Sequence, residues 1–326
     1  MNSTQILRIA PDAPWLAPLA GYSDLSFRLL CRENGCKAAV TEMVSTKGLC
    51  YDSRGTEELL KTTPEDSPLV VQLFGSELEF IERAMHSLME HGFRYFDLNA
   101  GCPVRKVIKT GCGASLHTNI DLLETIARRM AEIAGPGNSG VKFRRGWTSG
   151  EDNYLEIGKR LQNAGTAWVA LHPRTAKQGY SGQADWSCLK ELASSLEIPV
   201  IASGDLITAE DGVRCIRETG VQGVMFARGA LYGPNIFNDY LTLLRGETLP
   251  PRTGQDLARI IIRHAELSRQ HLPERKALIK MRSIVPRYVR HNPGVRRLRN
   301  ELINCDSWDN LKAMILDFLE ADHGAA

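Results

Sequence analysis

A small set of side chains able to donate, accept or carry charge punctuates the chain: Gln72, Asn99, Cys102, Lys142, Arg144, His172 and Arg228. Cys102 is the most pointed of them. It follows Asn99-Ala100-Gly101 and precedes Pro103, and such a run cannot extend a strand, since proline has no N–H for a ladder and glycine opens turns closed to other residues. A thiol with an ordinary pKa of about 8.5 stays mostly protonated near neutrality, so one held on a loop at a strand end can act as a general acid. Each residue also has a plainer reading: Cys102 as a cysteine in an ordinary turn, His172 as a satisfied structural histidine, Lys142 as an ion-paired lysine, Gln72 as a partner of neighbouring backbone. Their shared placement just after apolar runs is what sets them apart.

Those runs are Trp15–Pro18, Ala38–Met43, Leu69–Phe74, Phe93–Leu98, Gly140–Phe143, Ala167–His172, Pro199–Ala202 and Gly223–Ala227. Short and nearly continuous, they read as strands buried on both faces of a parallel sheet. Helical periodicity lies between them, over Glu77–Glu90, Asp121–Ile133, Tyr154–Gln162 and Ala209–Glu218. Eight strand–helix alternations in about 245 residues predict an α/β (β/α)8 TIM barrel, whose active site gathers at the C-terminal strand ends. An open doubly wound sheet is the competing architecture, and the expected Gly-rich fingerprint after its first strand is missing. In a barrel, the seven polar residues share one mouth. Ser203-Gly204-Asp205 and Ala227-Arg228-Gly229 then follow strands seven and eight, where barrels commonly bind a phosphate, and the turn Pro18-Leu19-Ala20-Gly21 follows strand one.

The barrel is expected over residues 1–245 and a linker over about 246–254, rich in Pro and Gly. Beyond it only helices are predicted, over Asp256–His271, Glu274–Val285 and Leu311–Glu320, with Pro286 expected to end or kink the second. This small helical domain, 255–326, is basic. Between Arg252 and Asn300 stand thirteen Lys/Arg against Asp256, Glu266 and Glu274, a local excess of +10 that leaves −8 for the rest of the chain. Basic residues so concentrated, and read as unpaired, imply an anionic partner. Eight scattered cysteines include no CxxC pair, no carboxylate–histidine cluster has metal-ligand spacing, and no G-x-S-x-G elbow appears, so no metal and no serine hydrolysis are expected. Without a long apolar run or a basic-then-apolar leader, a cytoplasmic protein is expected, monomeric by default.

The motifs in order resemble those of the tRNA-dihydrouridine synthases of bacterial type: Pro18-Leu19-Ala20-Gly21, Thr41-Glu42-Met43, Val71-Gln72-Leu73, Asp97-Leu98-Asn99-Ala100-Gly101-Cys102-Pro103, Val141-Lys142-Phe143-Arg144, His172-Pro173-Arg174-Thr175, Gln178-Gly179-Tyr180, Ser203-Gly204-Asp205 and Ala227-Arg228-Gly229. The similarity continues through Met281-Arg282 and Leu298–Asn304. It implies an FMN-binding barrel, a helical domain that helps hold tRNA, and reduction of a D-loop uridine at the expense of NADPH or NADH. Hydride would pass from FMN N5 to C6 and a proton from Cys102 to C5. By the same resemblance Pro18, Leu19, Ala20, Gln72, Lys142 and His172 lie against the flavin, and Ser203, Gly204, Asp205, Ala227 and Arg228 at its ribityl and phosphate. Asn99, Arg144 and Tyr180 lie at the target uracil. The chain departs from the family pattern at Ser203 (often Asn), Ala227 (often Gly) and Pro173 (usually Gly). In the basic domain Arg282, Arg287, Arg290, Arg296, Arg297 and Arg299 are the RNA-contact candidates. Two other functions compete: a flavin-dependent barrel oxidoreductase acting on a small molecule, and an RNA-binding module on an inactive barrel.

Overall fold

In the computed structural model, which describes residues 7–51, 53 and 55–321, the apolar runs become strands whose alternate residues face opposite ways. They are β1 (Trp15–Leu16), β2 (Ala38–Val40), β3 (Leu69–Phe74), β4 (Tyr95–Ala100), β5 (Ser139–Arg144), β6 (Trp168–His172), β7 (Val200–Ala202) and β8 (Gly223–Phe226). Every neighbouring pair is parallel. Pairing of β1 with both β2 and β8, and of β2 with β3, closes the sheet into the expected (β/α)8 barrel rather than an open sheet. A two-residue strand, Val44–Ser45, adds itself beside Leu73–Phe74 on the outer end of β3.

Period-two alternation builds two cores. Outward residues such as Val71, Phe96, Leu98, Phe143, Val169, Leu171 and Phe226 pack under the helices. Inward residues Trp15, Val40, Val70, Tyr95, Trp168, Ala170, Ile201 and Met225 plug the barrel, with the Trp15 and Trp168 rings edge to face at 5.7 Å. Gly140 leaves the room that the Trp168 indole fills: a Cβ there would overlap it. Above this plug the same alternation delivers Gln72, Asp97, Asn99, Lys142, Arg144 and His172 inward, toward the C-terminal mouth. The strand expected over Phe93–Leu98 starts two residues later and runs to Ala100, so Asn99 is the last inward residue of β4 rather than a loop residue.

The C-terminal helices span Gly254–His271, Glu274–Tyr288, Val295–Ile303 and Trp308–Ala321. The first is opened by a capping box in which Thr253 and Asp256 satisfy each other's amides. Their apolar faces, with Ile261, Leu278, Met281, Ile284, Leu311 and Ile315, join the outer core of the barrel. Ser26 Oγ reaches Leu267 O at 3.2 Å, Arg263 pairs with Glu33 at 2.7 Å, and Lys280 pairs with Asp24, the N-cap of helix Leu25–Glu33. Pro286 does not end its helix. Burial of Val285, Pro286 and Tyr288 carries the helix to Tyr288 despite the amide bond that proline cannot make.

The basic segment is also less free than its sequence implies. Arg252, Arg259, Arg263, Arg269, Lys276, Lys280 and Arg297 all carry ion pairs, several with carboxylates of the barrel (Asp239, Glu33, Glu58 and Asp24). Among the described residues no helix is long and apolar enough to cross a membrane.

Candidate active site

A cavity opens at the C-terminal mouth, lined by Ala17, Pro18, Leu19, Lys142, His172, Tyr180, Ser203, Gly204, Asp205, Leu206, Ile207, Met225, Ala227 and Arg228. One wall is apolar and comes from the turn after β1 and from β8. The other is cationic and polar. Nearly all the residues expected at the flavin are there. Ala20 is exposed outside the cavity, and Gln72 is wholly buried beneath it. Ala17, Leu206, Ile207 and Met225 went unassigned in the sequence. Counting back by two from Ala227 reaches Met225 and would have found it; Leu206 and Ile207 lie on a loop with no periodic signal.

Lys142 stands inward on β5 and forms no ion pair among the described residues. Burial, reinforced by Arg144, lowers its ammonium to about 8, while Asp97 and Cys102 pull the other way. Below it lies Asp97, 1% exposed, whose carboxyl burial pushes up to about 7 against the opposing effects of Gln72 and Lys142. The Trp168 indole sits close by and favours the ionised carboxylate, without closing a hydrogen bond to it.

His172 is 8% exposed, and its Nε2 lies 3.3 Å from Arg174 Nη1. Burial, with the charges of Lys142, Arg144, Arg174 and Arg228 around it, holds its pKa well below the usual histidine range, so the imidazole is neutral. Gly204 is needed beside it for two reasons: its φ is +126°, and a Cβ would come within 2.7 Å of His172 Cδ2. Asp205 also adopts positive φ, at 53°. Its Oδ2 accepts from Arg174 Nη2 (2.7 Å) and the Ala184 amide (2.8 Å), and its Oδ1 from Arg228 Nη2 (2.8 Å). Burial would raise this carboxyl, but those bonds and charges outweigh it and leave it below the usual range.

Cys102 follows the end of β4, across the barrel from β8, and is not among the residues that line the cavity. Its loop is pinned by Asn99, whose Oδ1 accepts from the amides of Gly101 (3.1 Å) and Cys102 (2.9 Å), and by the Ala114 amide donating to Cys102 O at 3.0 Å. Gly113, at φ 61°, lets that turn close: a Cβ would meet Cys102 O at 2.7 Å. The thiol is half-buried, and burial raises its pKa above the ordinary value against the pull of the Val104 amide, Arg144 and Lys142. Cys112 of the same loop is buried, its Sγ donating to Thr110 O at 3.4 Å.

Arg144 ties the two sides together. Nε donates to Gly101 O (2.7 Å), and Nη1 to Thr175 O (3.0 Å) and Gly179 O (2.9 Å), linking the thiol loop to the loop that carries Tyr180. Tyr180, 65% exposed, lies over the mouth with the Arg144 and Arg228 guanidinium groups 5.7 and 5.5 Å from its ring centre and His172 at 6.1 Å. Among the described residues no cluster of His, Cys, Asp or Glu could hold a metal ion.

Beside the mouth, a groove is lined by Tyr232, Ile279, Arg282, Ser283, Pro286, Arg287, Arg290, Arg299 and Ile303. Its four arginines have no carboxylate partner among the described residues, unlike Arg297, which pairs with Glu301 and is not part of the lining. Arg287 lies over the Tyr22 ring at 4.5 Å, and Arg290 over the Tyr232 ring at 3.2 Å. Tyr22 belongs to the turn after β1, and Tyr232 to the short helix that begins at Arg228. The groove is therefore built directly onto two loops of the cavity.

The chain matches the family described as dihydrouridine synthase over residues 15–321. It is 33% identical over 294 residues to a probable tRNA-dihydrouridine synthase 1 of Synechocystis sp., covering 89% of this chain and 82% of that one. It is 29% identical over 309 residues to tRNA-dihydrouridine synthase B of Xanthomonas axonopodis pv. citri, covering 94% and 92%. Among solved structures, morphinone reductase superposes with a TM-score of 0.52 at 12% identity, over 74% of this chain and 88% of that one. The old yellow enzyme homologue of Zymomonas mobilis gives 0.51 at 11% identity, over 77% and 94%. These two likenesses show the barrel fold.

Proposed function

The chain belongs to the dihydrouridine synthase family, and from that membership we propose that it reduces the C5–C6 bond of a D-loop uridine in tRNA, with FMN in the barrel mouth and NADPH or NADH as reductant. The observation that carries the reading is the pairing of a cavity having one apolar and one cationic wall with a protonated thiol on a loop at the same end of the barrel.

The cavity's residues fit FMN chemically. Pro18, Leu19 and Met225 offer a wall for a flat ring, and Lys142, with no carboxylate partner, offers a cation for the carbonyl edge. Ser203, Gly204, Asp205, Ala227 and Arg228 would hold the ribityl and phosphate, with Asp205 orienting Arg228. FMN bound there and reduced by the nicotinamide would supply the hydride that uracil C6 accepts. The remaining chemistry belongs to the chain. Because burial raises the Cys102 pKa, the thiol keeps its proton at neutral pH and can deliver it to C5 of a uracil held in the mouth. Neutral His172 is suited to hydrogen-bond a ring carbonyl without adding charge. Arg144 and Tyr180 stand where an extruded uracil would enter, and Asn99 sits beneath.

The barrel (1–245) is thus the catalytic domain, and the helices (255–326) supply the tRNA surface through Arg282, Arg287, Arg290 and Arg299. A cytoplasmic monomer accords with this reading. A reductase of small molecules on the same barrel would leave that groove without a task.

The test is spectroscopic. Purified protein should be yellow and bleach anaerobically with NADPH, and tRNA lacking dihydrouridine should restore the colour. A preparation that takes up no FMN, or whose reduced flavin ignores tRNA, would refute the proposal.

A further inference from the structure

A chain of side-chain hydrogen bonds runs from the closed interior of the barrel to the thiol loop. Gln72 Nε2 donates to Asp97 Oδ2 at 2.6 Å, and Asn99 Nδ2 donates to Gln72 Oε1 at 2.8 Å. Asn99 Oδ1 then accepts from the amides of Gly101 and Cys102 at 3.1 and 2.9 Å. Gln72 is 0% and Asp97 1% exposed, so bulk water cannot replace a lost partner.

The direction of this chain is dictated from both ends. A main-chain N–H only donates, so Asn99 must turn its oxygen toward Gly101 and Cys102 and its NH2 toward Gln72. Gln72 must then offer its oxygen to Asn99 and its NH2 to residue 97. That joint closes only on an acceptor, which the Asp97 carboxylate supplies. Reversing either amide sets donor against donor, or acceptor against acceptor, in a place closed to water. An apolar residue at 97 would leave the Gln72 NH2 without an acceptor in a place closed to water, and the amide that holds the Cys102 backbone would be anchored from the loop side alone.

We propose that Asp97 is a positioning residue for Cys102: its carboxylate fixes the orientation of Gln72 and Asn99, and through them the seat of the thiol loop. Its effect on turnover rests on the reading of Cys102 as the proton donor, whereas the positioning itself rests on the backbone contacts alone. It also gives Asn99 and Gln72 a task toward the loop beyond any contact with uracil or flavin.

The test exchanges the two ends. At pH 9, above the value of about 7 to which burial pushes Asp97, Asn99→Asp places a carboxylate on each side of Gln72, so one joint fails whichever way that amide turns. The melting temperature should drop, and kcat should fall about tenfold or more while KM for tRNA moves less than about twofold. Combining Asn99→Asp with Asp97→Asn reverses both joints of Gln72 and satisfies them, with the loop amides still held by a carboxylate oxygen. This swap should recover the melting temperature and return hydrogen exchange at Gly101 and Cys102 to the wild-type rate. Asp97→Leu should speed hydrogen exchange at Gly101 and Cys102 about tenfold or more. A swap no better than Asn99→Asp alone would overturn the proposal, because positions 97 and 99 would then act independently. So would unchanged exchange at Gly101 and Cys102 in a folded Asp97→Leu protein. Should wild type itself form no dihydrouridine, the functional reading fails, while melting and exchange still decide the positioning.

Discussion

The barrel mouth and the groove beside it both gather arginine, and they treat it in opposite ways. In the mouth Arg144 and Arg174 are 2% exposed, and their guanidinium groups are spent on carbonyls of Gly101, Thr175, Gly179, Ser181 and Gly182 and on Asp205. Their desolvation is already offset by fixed partners, so they hold loops and shape a field without moving during the reaction. In the groove Arg282, Arg287 and Arg290 are half-buried and Arg299 is exposed, and none of the four meets a carboxylate among the described residues. Such charges keep counterions that a polyanion can release. The contrast implies that chemistry and grip can be damaged separately.

The largest expected separation is at Cys102. Cys102→Ala should lower the rate of dihydrouridine formation by about 10²- to 10⁴-fold, the usual loss for a general acid, with tRNA affinity held within about twofold in a filter-binding titration. The reverse pattern should come from Arg282→Ala combined with Arg299→Ala. tRNA affinity should fall by about tenfold or more, and the slope of log K against log salt should flatten by about 1 to 2 units, while NADPH reduces the flavin at the wild-type rate. If that double variant slowed flavin reduction as much as tRNA binding, the two regions would not be separable.

Asp205→Asn sharpens the mouth's half of the comparison. Asparagine tolerates the positive φ, so the backbone stays unstrained, but buried Arg174 loses its counter-charge. Stability at pH 7 should fall by about 2 kcal/mol, less than for a fully buried pair because Asp205 keeps 28% side-chain exposure. Its folded pKa lies below the unfolded one near 4, so its contribution is present above that value and disappears as pH falls through the folded pKa. Urea unfolding at pH 7 and pH 3 should therefore show a gap between wild type and variant that narrows in acid. The smallest effect is a null one. The His172 imidazole, held neutral, should show no NMR titration between pH 6 and 8, where an ordinary histidine shifts.

Much of the mouth was legible because a barrel converts period-two alternation and strand ends into one list of inward residues. Lys142, Arg144 and His172 follow from that rule alone. What stayed hidden depends on partners remote in sequence. The pairing of Arg263 with Glu33, Lys280 with Asp24 and Lys276 with Glu58 removes three charges from a segment that reads as uniformly free. Helix Leu25–Glu33 was obscured for a similar reason. Arg28, on its buried face, interrupts the apolar periodicity, and Asp66, 2.8 Å away and equally buried, together with the carbonyls of Ser23 and Lys61, makes that position tolerable. The Asp97–Gln72–Asn99 chain joins two strands, so no single stretch of sequence displays it. The expectation that Pro286 would end or kink its helix fails for the ending alone, because packing carries the helix two residues past it.

The central claim is that a thiol and a flavin cavity in one barrel mouth reduce a uridine presented by the adjoining arginine groove. It is tested most directly by mass-spectrometric mapping of tRNA that lacks dihydrouridine, after incubation with the purified protein, FMN and NADPH. The account predicts dihydrouridine at a D-loop position with wild type and a trace at most with Cys102→Ala. Wild type leaving every uridine unreduced, or Cys102→Ala reducing it as fast as wild type, would contradict it.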